Sequence, residues 1–409
     1  MYRSEVLPDL SFHVVGVSHH TAGVEVREQF AFTPADLAAW LDREYRAGRS
    51  ALLLSTCNRC ELYWCGDHDF ELWFREFAAA RGGLPEGTLT RFDGADAVRH
   101  LFTVAAGLDS QILGETEILG QVRRAFDFAR AAGTTTRAMD SVFSAALYAG
   151  RRIRRETLLG RHPASVSSAA VDLAGSRLGG LNGGPVVVLG AGEAAEGVLR
   201  ALHERGATRV ILVNRHLERA KALASAWGAQ ACPWESLGSM LADADLFLVA
   251  TAAAFPVISA AGLAEATAAR GERELIVMDL AVPRNVEPQA RAIPLVRLFD
   301  LDDLQRLCCP AAGTASAALA EAERVLQEEM ARLALTLRSR AAAPQLAELH
   351  RLGAQMAAQE TAWALAQLQE LSDREQRVVR EMANRLVRRV LYPVSRELRE
   401  DGERGSAER

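Results

Sequence analysis

Residues 185–206 read PVVVLGAGEAAEGVLRALHERG, and no other stretch restricts the fold of this chain as tightly. An apolar run from Val186 to Leu189 has no polar face, so it predicts a strand covered on both sides. It breaks at glycines and passes into a helical period closed by Gly206. The same alternation continues: strand RVILVNR, helix LERAKALASAW, then strands within DLFLVAT, ELIVMDLAVP and LVRLFD. Elements in this order predict an α/β fold built on a doubly wound parallel sheet. The uncharged run 246–264 approaches the length of a membrane span, but Pro256, Gly262 and many small residues dilute it, and it is expected to be strand and loop.

The turn Gly190-Ala191-Gly192-Glu193-Ala194-Ala195 has the spacing of a dinucleotide fingerprint with alanine in the third place. Gly190 permits the tight turn, Gly192 lets a pyrophosphate approach the backbone, and the helix that follows offers free N–H groups. At the end of the next strand, where an acid would bind the ribose of NADH, stands Asn214-Arg215. A guanidinium there suits a 2′-phosphate, so the expected cofactor is NADPH; the alternative is an exposed arginine at a helix start.

Upstream, ALLLSTCNRCELYWC places a polar knot, Ser55 to Arg59, between two strand-like runs. Cys57 at its tip is either a nucleophile whose thiolate a neighbouring cation favours, or a buried core thiol. Arg59 could hold a carboxylate through paired hydrogen bonds, and Asn58 could donate to an acyl oxygen. Cys57, Cys60, Cys65 and His68 mimic a zinc knuckle. If Cys60 to Cys65 is a strand, however, the two sulfurs lie on opposite faces about 16 Å apart, too far for one metal ion. A Cys57–Cys60 redox pair would need to open a helix, whereas ELYW reads as strand.

Residues 100–133 have helical periodicity in their second half, through Val122, Phe126 and Ala129. Gly114 and Gly120 would each cost about 1 kcal/mol inside a helix, which suggests bends or close approaches among Ser110, Gln111, Glu115, Glu117 and Gln121. His100, expected near a helix start, is either structural or catalytic. Arg151, Arg152, Arg154 and Arg155 form a basic patch that is either a solvated face or, with Arg385, Arg388 and Arg389, a phosphate-binding surface.

A chain of 409 residues implies two or three domains, and a net charge of -5 carries no overall nucleic-acid signature. MYRSEVLPDL lacks the marks of a signal peptide, so a cytoplasmic protein with reduced thiols is expected. Lys221 is the single lysine, on a charged helix, which leaves one candidate for lysine chemistry. After Cys309 strand signals disappear. Apolar stripes at Ala322, Val325, Met330, Leu333 and Leu337, then Leu349, Leu352, Met356 and Trp363, predict long helices that form a dimer bundle or pack within the chain.

The signatures GVSHHTAGVEVRE, STCNRCELY, HLFTVAAGLDSQILGETEILGQV, GRRIRRET, SVSSAAVDLA, GAGEAA and MDLAVPRNVEP run nearly end to end, and together they resemble glutamyl-tRNA reductases. That resemblance implies three parts: an N-terminal catalytic domain at 1–162, a Rossmann-like NADPH domain at 163–308 and an all-α dimerisation domain at 309–409. It implies that Cys57 attacks the ester of glutamyl-tRNA, that the tRNA leaves, and that NADPH reduces the thioester to glutamate-1-semialdehyde, the first step towards tetrapyrroles. By motif match, Thr56, Asn58, Arg59, Ser110, Glu115, Thr116, Glu117 and Gln121 would form the glutamyl pocket, and His100 would be important for activity. No metal, flavin or membrane is implied. The partners implied are the tRNA, a second copy of the chain and glutamate-1-semialdehyde aminomutase. Ser18, His20, Cys60, Asn285 and Tyr392 depart from the family's usual residues, which puts local packing in question. Shikimate dehydrogenases resemble the central part but need a lysine in the substrate domain. A phosphorylating aldehyde dehydrogenase carries its cysteine after the nucleotide domain, and a sensor that had lost the chemistry would have no need of Cys57 and Arg59.

Overall fold

A computed structural model describes residues 10–157, 159, 165–268, 270–307, 312–368 and 371–404 of the chain. The chain divides into two compact units, Ser11–Leu326 and one that contains the residues from Gln327 onward.

The first unit opens with an antiparallel sheet of β1 (Phe12–Ser18), β2 (Ala51–Ser55), β3 (Arg59–Cys65) and β4 (Thr90–Asp93), in the order β2-β3-β1-β4. The β1–β3 pairing depends on Gly16, where a Cβ would come within 2.3 Å of the Cys60 carbonyl oxygen. Around the sheet lie α1 (Val24–Arg27), α2 (Pro34–Arg46), α3 (Glu71–Ala79), α4 (Gly94–Ala106), α5 (Glu117–Ala131) and α6 (Arg137–Glu156). α2 starts on a capping box, with Thr33 and Asp36 satisfying each other's backbone N–H groups ahead of Pro34. α5 buries Val122, Phe126 and Ala129, the stripe its sequence predicts.

A six-stranded layer follows: α7 (Val166–Leu178), β5 (Val186–Leu189), α8 (Glu193–Glu204), β6 (Val210–Asn214), α9 (Leu217–Trp227), β7 (Gln230–Pro233), α10 (Leu237–Asp243), β8 (Leu246–Val249), α11 (Ala260–Thr267), β9 (Leu275–Asp279), β10 (Val296–Phe299) and α12 (Leu301–Leu307). Every strand is parallel, and the order β10-β9-β8-β5-β6-β7 is that of a Rossmann fold. Alternate residues feed its two cores. Val186, Val188, Leu212, Leu246, Leu248 and Met278 face α7 and α8, while Val187, Leu189, Val213, Phe247, Val249 and Val277 face α10 and α11.

Three local expectations need correction. Residues 260–264 belong to α11 rather than a loop, because Ser259 accepts a hydrogen bond from the Gly262 N–H and caps a helix of small residues. His100 lies in the second turn of α4, not at its start. Gly114 does mark a bend, at φ +77, but Gly120 sits inside α5 without one.

The second unit consists of the long helix α13 (Ala312–Gln367), whose first residues lie in the first unit, and α14 (Asp373–Arg404). Gly353 lets the two helices touch, since a Cβ there would sit 2.6 Å from Leu391 Cδ1. Of the expected stripe, Ala322, Val325, Leu333 and Leu337 are buried, while Leu352, Met356 and Trp363 are exposed, beside Val378, Met382, Leu386 and Val390 on α14.

Candidate active site

Three residues, Thr56 to Asn58, turn the chain between β2 and β3. Thr56 organises them: its N–H donates to the Arg59 carbonyl at 2.8 Å, and its Oγ1 accepts from the N–H groups of Asn58 at 3.1 Å and Arg59 at 3.2 Å. The Thr56 hydroxyl is therefore a turn brace first. Two more bonds fix the tip, His19 N–H to the Asn58 carbonyl at 2.9 Å and Arg27 Nε to the Cys57 carbonyl at 3.1 Å.

Cys57 sits half-buried at that tip and packs, with Ile112, against the core of the six-stranded layer. Burial, joined by the charges of Glu115 and Glu117 and opposed by Arg27, pushes its thiol up to about 12. The expectation that a neighbouring cation favours the thiolate is thus corrected: the carboxylates and the missing water outweigh the arginine. Asn58, the next residue, is 2% exposed, and among the described residues neither its Nδ2 nor its Oδ1 has a hydrogen-bond partner. Both ring nitrogens of His19 are likewise buried without partners. Burial, with help from His20, Arg59 and Arg27, pushes that ring down to about 3 and keeps it neutral. Each such orphan costs about 1–3 kcal/mol, so the two orphaned side chains, whose backbones are joined at this turn, are groups suited to polar ligand atoms.

Arg59, Glu61 and Tyr63 share one face of β3 by its two-residue period, a signal the sequence reading overlooked for Glu61. Arg59 is fully buried, with NH1 on Glu61 at 2.7 Å and NH2 on the Asp109 carboxylate at 2.8 Å and on the Asp109 carbonyl. Only its Nε lacks a partner. The clamp expected to wait free for a carboxylate is therefore already engaged by two acids. Glu61 also accepts from Tyr63 OH at 2.5 Å and contacts His100 Nε2 at 2.9 Å. Burial opposes its charge, yet Arg59 and His100 hold Glu61 well below the usual carboxylate range. His100, stacked on Phe92, thus reaches Glu61 and through it Arg59.

The loop before α5 supplies the other expected groups. Ser110 bonds the Glu115 side chain, and Glu115 is 4% exposed. Burial, opposed by that hydrogen bond and reinforced by Glu117, pushes Glu115 up to about 7. Glu117 is also raised, by burial and by Glu193 of α8. Thr116 is exposed, and its contribution is a carbonyl that accepts from Arg154 NH1 at 2.9 Å. Gln121 lies half-buried one turn into α5. Arg154, expected on a solvated or phosphate-binding face, instead ties down this loop through the Glu115 and Thr116 carbonyls. Arg152 and Arg155 both pair with Glu156.

At the carboxyl ends of β5, β6 and β8 lies a cleft of about 680 Å³, walled by Gly190, Ala191, Gly192, Glu193, Ala194, Asn214 and Arg215, and also by Arg219 and Thr251. Gly190 has φ +117, and a Cβ on it would meet the Ala250 carbonyl oxygen at 2.2 Å. Gly192, the N-cap of α8, has open space where its side chain would be, and no side chain caps the helix. A pyrophosphate fits there. Ala195 is fully buried, so it serves helix–sheet packing rather than the cleft wall. Asn214 Nδ2 donates to the His216 carbonyl at 3.1 Å. No ion pair joins Arg215 or Arg219 to an acid among the described residues, which leaves two guanidinium groups for a phosphate. Sequence reading missed Arg219, one helical turn beyond Arg215. Among the described residues, no group of three or more His, Cys, Asp or Glu is placed to hold a metal ion.

Three family models match the chain: the N-terminal domain of glutamyl-tRNA(Glu) reductase over residues 15–157, shikimate / quinate 5-dehydrogenase over 172–307 and the dimerisation domain of glutamyl-tRNA(Glu) reductase over 321–409. A glutamyl-tRNA reductase of Deinococcus radiodurans is 42% identical over 78% of this chain and 91% of its own. That of Chloroflexus aurantiacus is 35% identical over 98% and 97%. Among solved structures, glutamyl-tRNA reductase from Methanopyrus kandleri aligns at 30% identity over 96% of this chain and 99% of its own, with a TM-score of 0.48.

Proposed function

Because the chain belongs to the glutamyl-tRNA reductase family, we propose that it reduces the glutamyl group of charged tRNA(Glu) to glutamate-1-semialdehyde through a thioester on Cys57. The observation that carries this reading is the unpartnered, buried amide of Asn58, the residue that directly follows the half-buried Cys57. An amide N–H held dry and unsatisfied is suited to the acyl oxygen as it gains negative charge.

In this reading Sγ of Cys57 bonds to the acyl carbon, the ribose oxygen leaves with a proton, and the carbonyl is held as a thioester. Glu115 with Ser110 receives the α-ammonium of the glutamyl group. Burial is the main cause of the raised thiol, and that pairing cancels one of the charges that add to it, so substrate itself helps to ready the nucleophile. Arg59, braced by Glu61, Asp109 and His100, offers its free Nε to the side-chain carboxylate. Thr56 shapes the turn, and Glu117 and Gln121 border the pocket from α5. A nicotinamide cofactor bound in the 680 Å³ cleft supplies the hydride. Arg215 and Arg219, with no acid partner among the described residues, favour a 2′-phosphate and hence NADPH. Lys221 is exposed on α9 and paired with Glu218 at 2.8 Å, which leaves it no part in the chemistry.

We further propose functional boundaries at 1–162, 163–308 and 309–409, a homodimer through the exposed apolar faces of α13 and α14, and the aminomutase as acceptor of the product. No described helix is long and apolar enough to cross a membrane. Incubation with [14C]glutamyl-tRNA and no NADPH tests the covalent step. Label is expected on the protein, released by hydroxylamine and absent from Cys57→Ala; labelling of the alanine variant to the same extent would place the acyl group elsewhere.

A further inference from the structure

Asp302, near the start of α12 in the six-stranded layer, has its carboxylate in the N-terminal layer. Oδ1 accepts from Arg27 NH2 at 2.9 Å and from Gln111 Nε2 at 3.3 Å, and Oδ2 accepts from the Val24 N–H at 2.8 Å. Arg27 is buried, and its remaining donors hold the carbonyls of Ala22 at 2.8 Å and Cys57 at 3.1 Å. One guanidinium therefore stands between the backbone of the nucleophile and a carboxylate of the cofactor-binding layer. Gln111 belongs to the loop that carries Ser110 and Glu115, so the same carboxylate also reaches the glutamyl pocket. The next residue, Glu28, makes the reverse pair, receiving Arg284 Nε at 3.0 Å and NH2 at 2.7 Å. Two adjacent pairs of opposite polarity set a single register between the layers, and in that register Cys57 and Ile112 rest on the Rossmann core.

We propose that Asp302 is a positioning residue for the reduction step, acting through Arg27 and Gln111 so that the thioester is held rigidly only while the cofactor layer is seated against it. This rests on Cys57 carrying the acyl group, as proposed above. Acylation needs the thiol open to the end of a tRNA. Reduction needs the acyl carbon fixed relative to the cofactor, where a small misplacement is costly. Asp302 serves the second requirement.

The test separates the half-reactions. Release of tRNA from glutamyl-tRNA is followed in a single turnover without NADPH, and NADPH oxidation and the NADPH Kd are measured on the same preparations. In Asp302→Ala the ratio of the reduction rate to the tRNA-release rate is expected to fall about 10- to 100-fold, with NADPH affinity within about twofold of wild type and partial recovery in Asp302→Glu. If the alanine variant is insoluble, Asp302→Asn, which keeps the shape and removes the charge, is expected to give the same split. An unchanged ratio overturns the proposal, whether both rates fall together or neither moves. Cys57→Ala runs alongside: retention of both half-reactions there would defeat the thioester reading rather than the role of Asp302.

Discussion

Replacing Glu115 by glutamine reads out the environment of the pocket directly. The folded chain pushes this carboxyl from its ordinary 4.5 up to about 7, chiefly by burial. Between those two values the folded state keeps a proton that the unfolded chain has released, so stability is greatest at and below pH 4.5 and falls as pH rises through 7. At about 1.4 kcal/mol for each pH unit, the gap amounts to about 3 kcal/mol. Glutamine copies the shape of the protonated acid, retains a partner for Ser110 and does not titrate. Urea unfolding should therefore find Glu115→Gln level with wild type near pH 4.5 and about 3 kcal/mol more stable at pH 8, a midpoint shift of about 1 M for an m of about 3 kcal/mol per M. The same variant offers an ammonium only a neutral amide oxygen, and loss of the charge pairing, about 1.5–3 kcal/mol, should raise KM for glutamyl-tRNA roughly 10- to 150-fold. An equal offset at both pH values, or a loss of stability at pH 8, would refute the argument that Glu115 is a buried acid kept for a cation.

Other consequences concern the cofactor cleft and the thiol. Arg215→Ala should raise KM for NADPH roughly 10- to 150-fold and leave KM for NADH nearly unchanged, since only the 2′-phosphate contact is lost; parallel changes with both cofactors would remove Arg215 from that role. Gly190→Ala, which drives a Cβ into the Ala250 carbonyl oxygen at φ +117, should lower stability by more than about 1 kcal/mol and abolish NADPH binding by fluorescence titration, and normal binding would show the turn to be pliant. With its thiol pushed up to about 12, Cys57 should react slowly with iodoacetamide at pH 7.5 and about tenfold faster for each pH unit above it. A rate that is already level at pH 7.5 would mean a thiolate is present without substrate.

How much of this was legible in the sequence depends on the reach of each interaction. The Rossmann layer was, because every interior strand is a run such as VVVL or LFLV with no polar face, and the GAGEAA turn has its own local geometry. β7 was missed: QACP is a short edge strand, only partly covered and without a buried run. α11 was missed because alanines and one glycine carry little amphipathic signal, and its cap lies in Ser259. The site was legible as a motif, Cys57 to Arg59, but its electrostatics were not. Burial governs Cys57, reinforced by Glu115 and Glu117, some sixty residues away, and neither is visible from its neighbours in the chain. Likewise Arg59 reads as a free clamp until Asp109 is brought beside it. Arg154 reads as part of a solvated or phosphate-binding face, and Arg27 and Asp302 carry no signal of their own, because their partners are backbone carbonyls or groups in another layer, which no spacing along the chain reveals.

The central claim is that Cys57, readied by a charged substrate, passes a glutamyl group to a nicotinamide-dependent reduction. The most direct measurement is NADPH oxidation by the purified protein given glutamyl-tRNA, with free glutamate and uncharged tRNA as controls and Cys57→Ser alongside. Oxidation with the charged tRNA alone, lost in the serine variant, is the expected result. Undiminished oxidation in Cys57→Ser, or none by folded wild-type protein that binds NADPH, would contradict it.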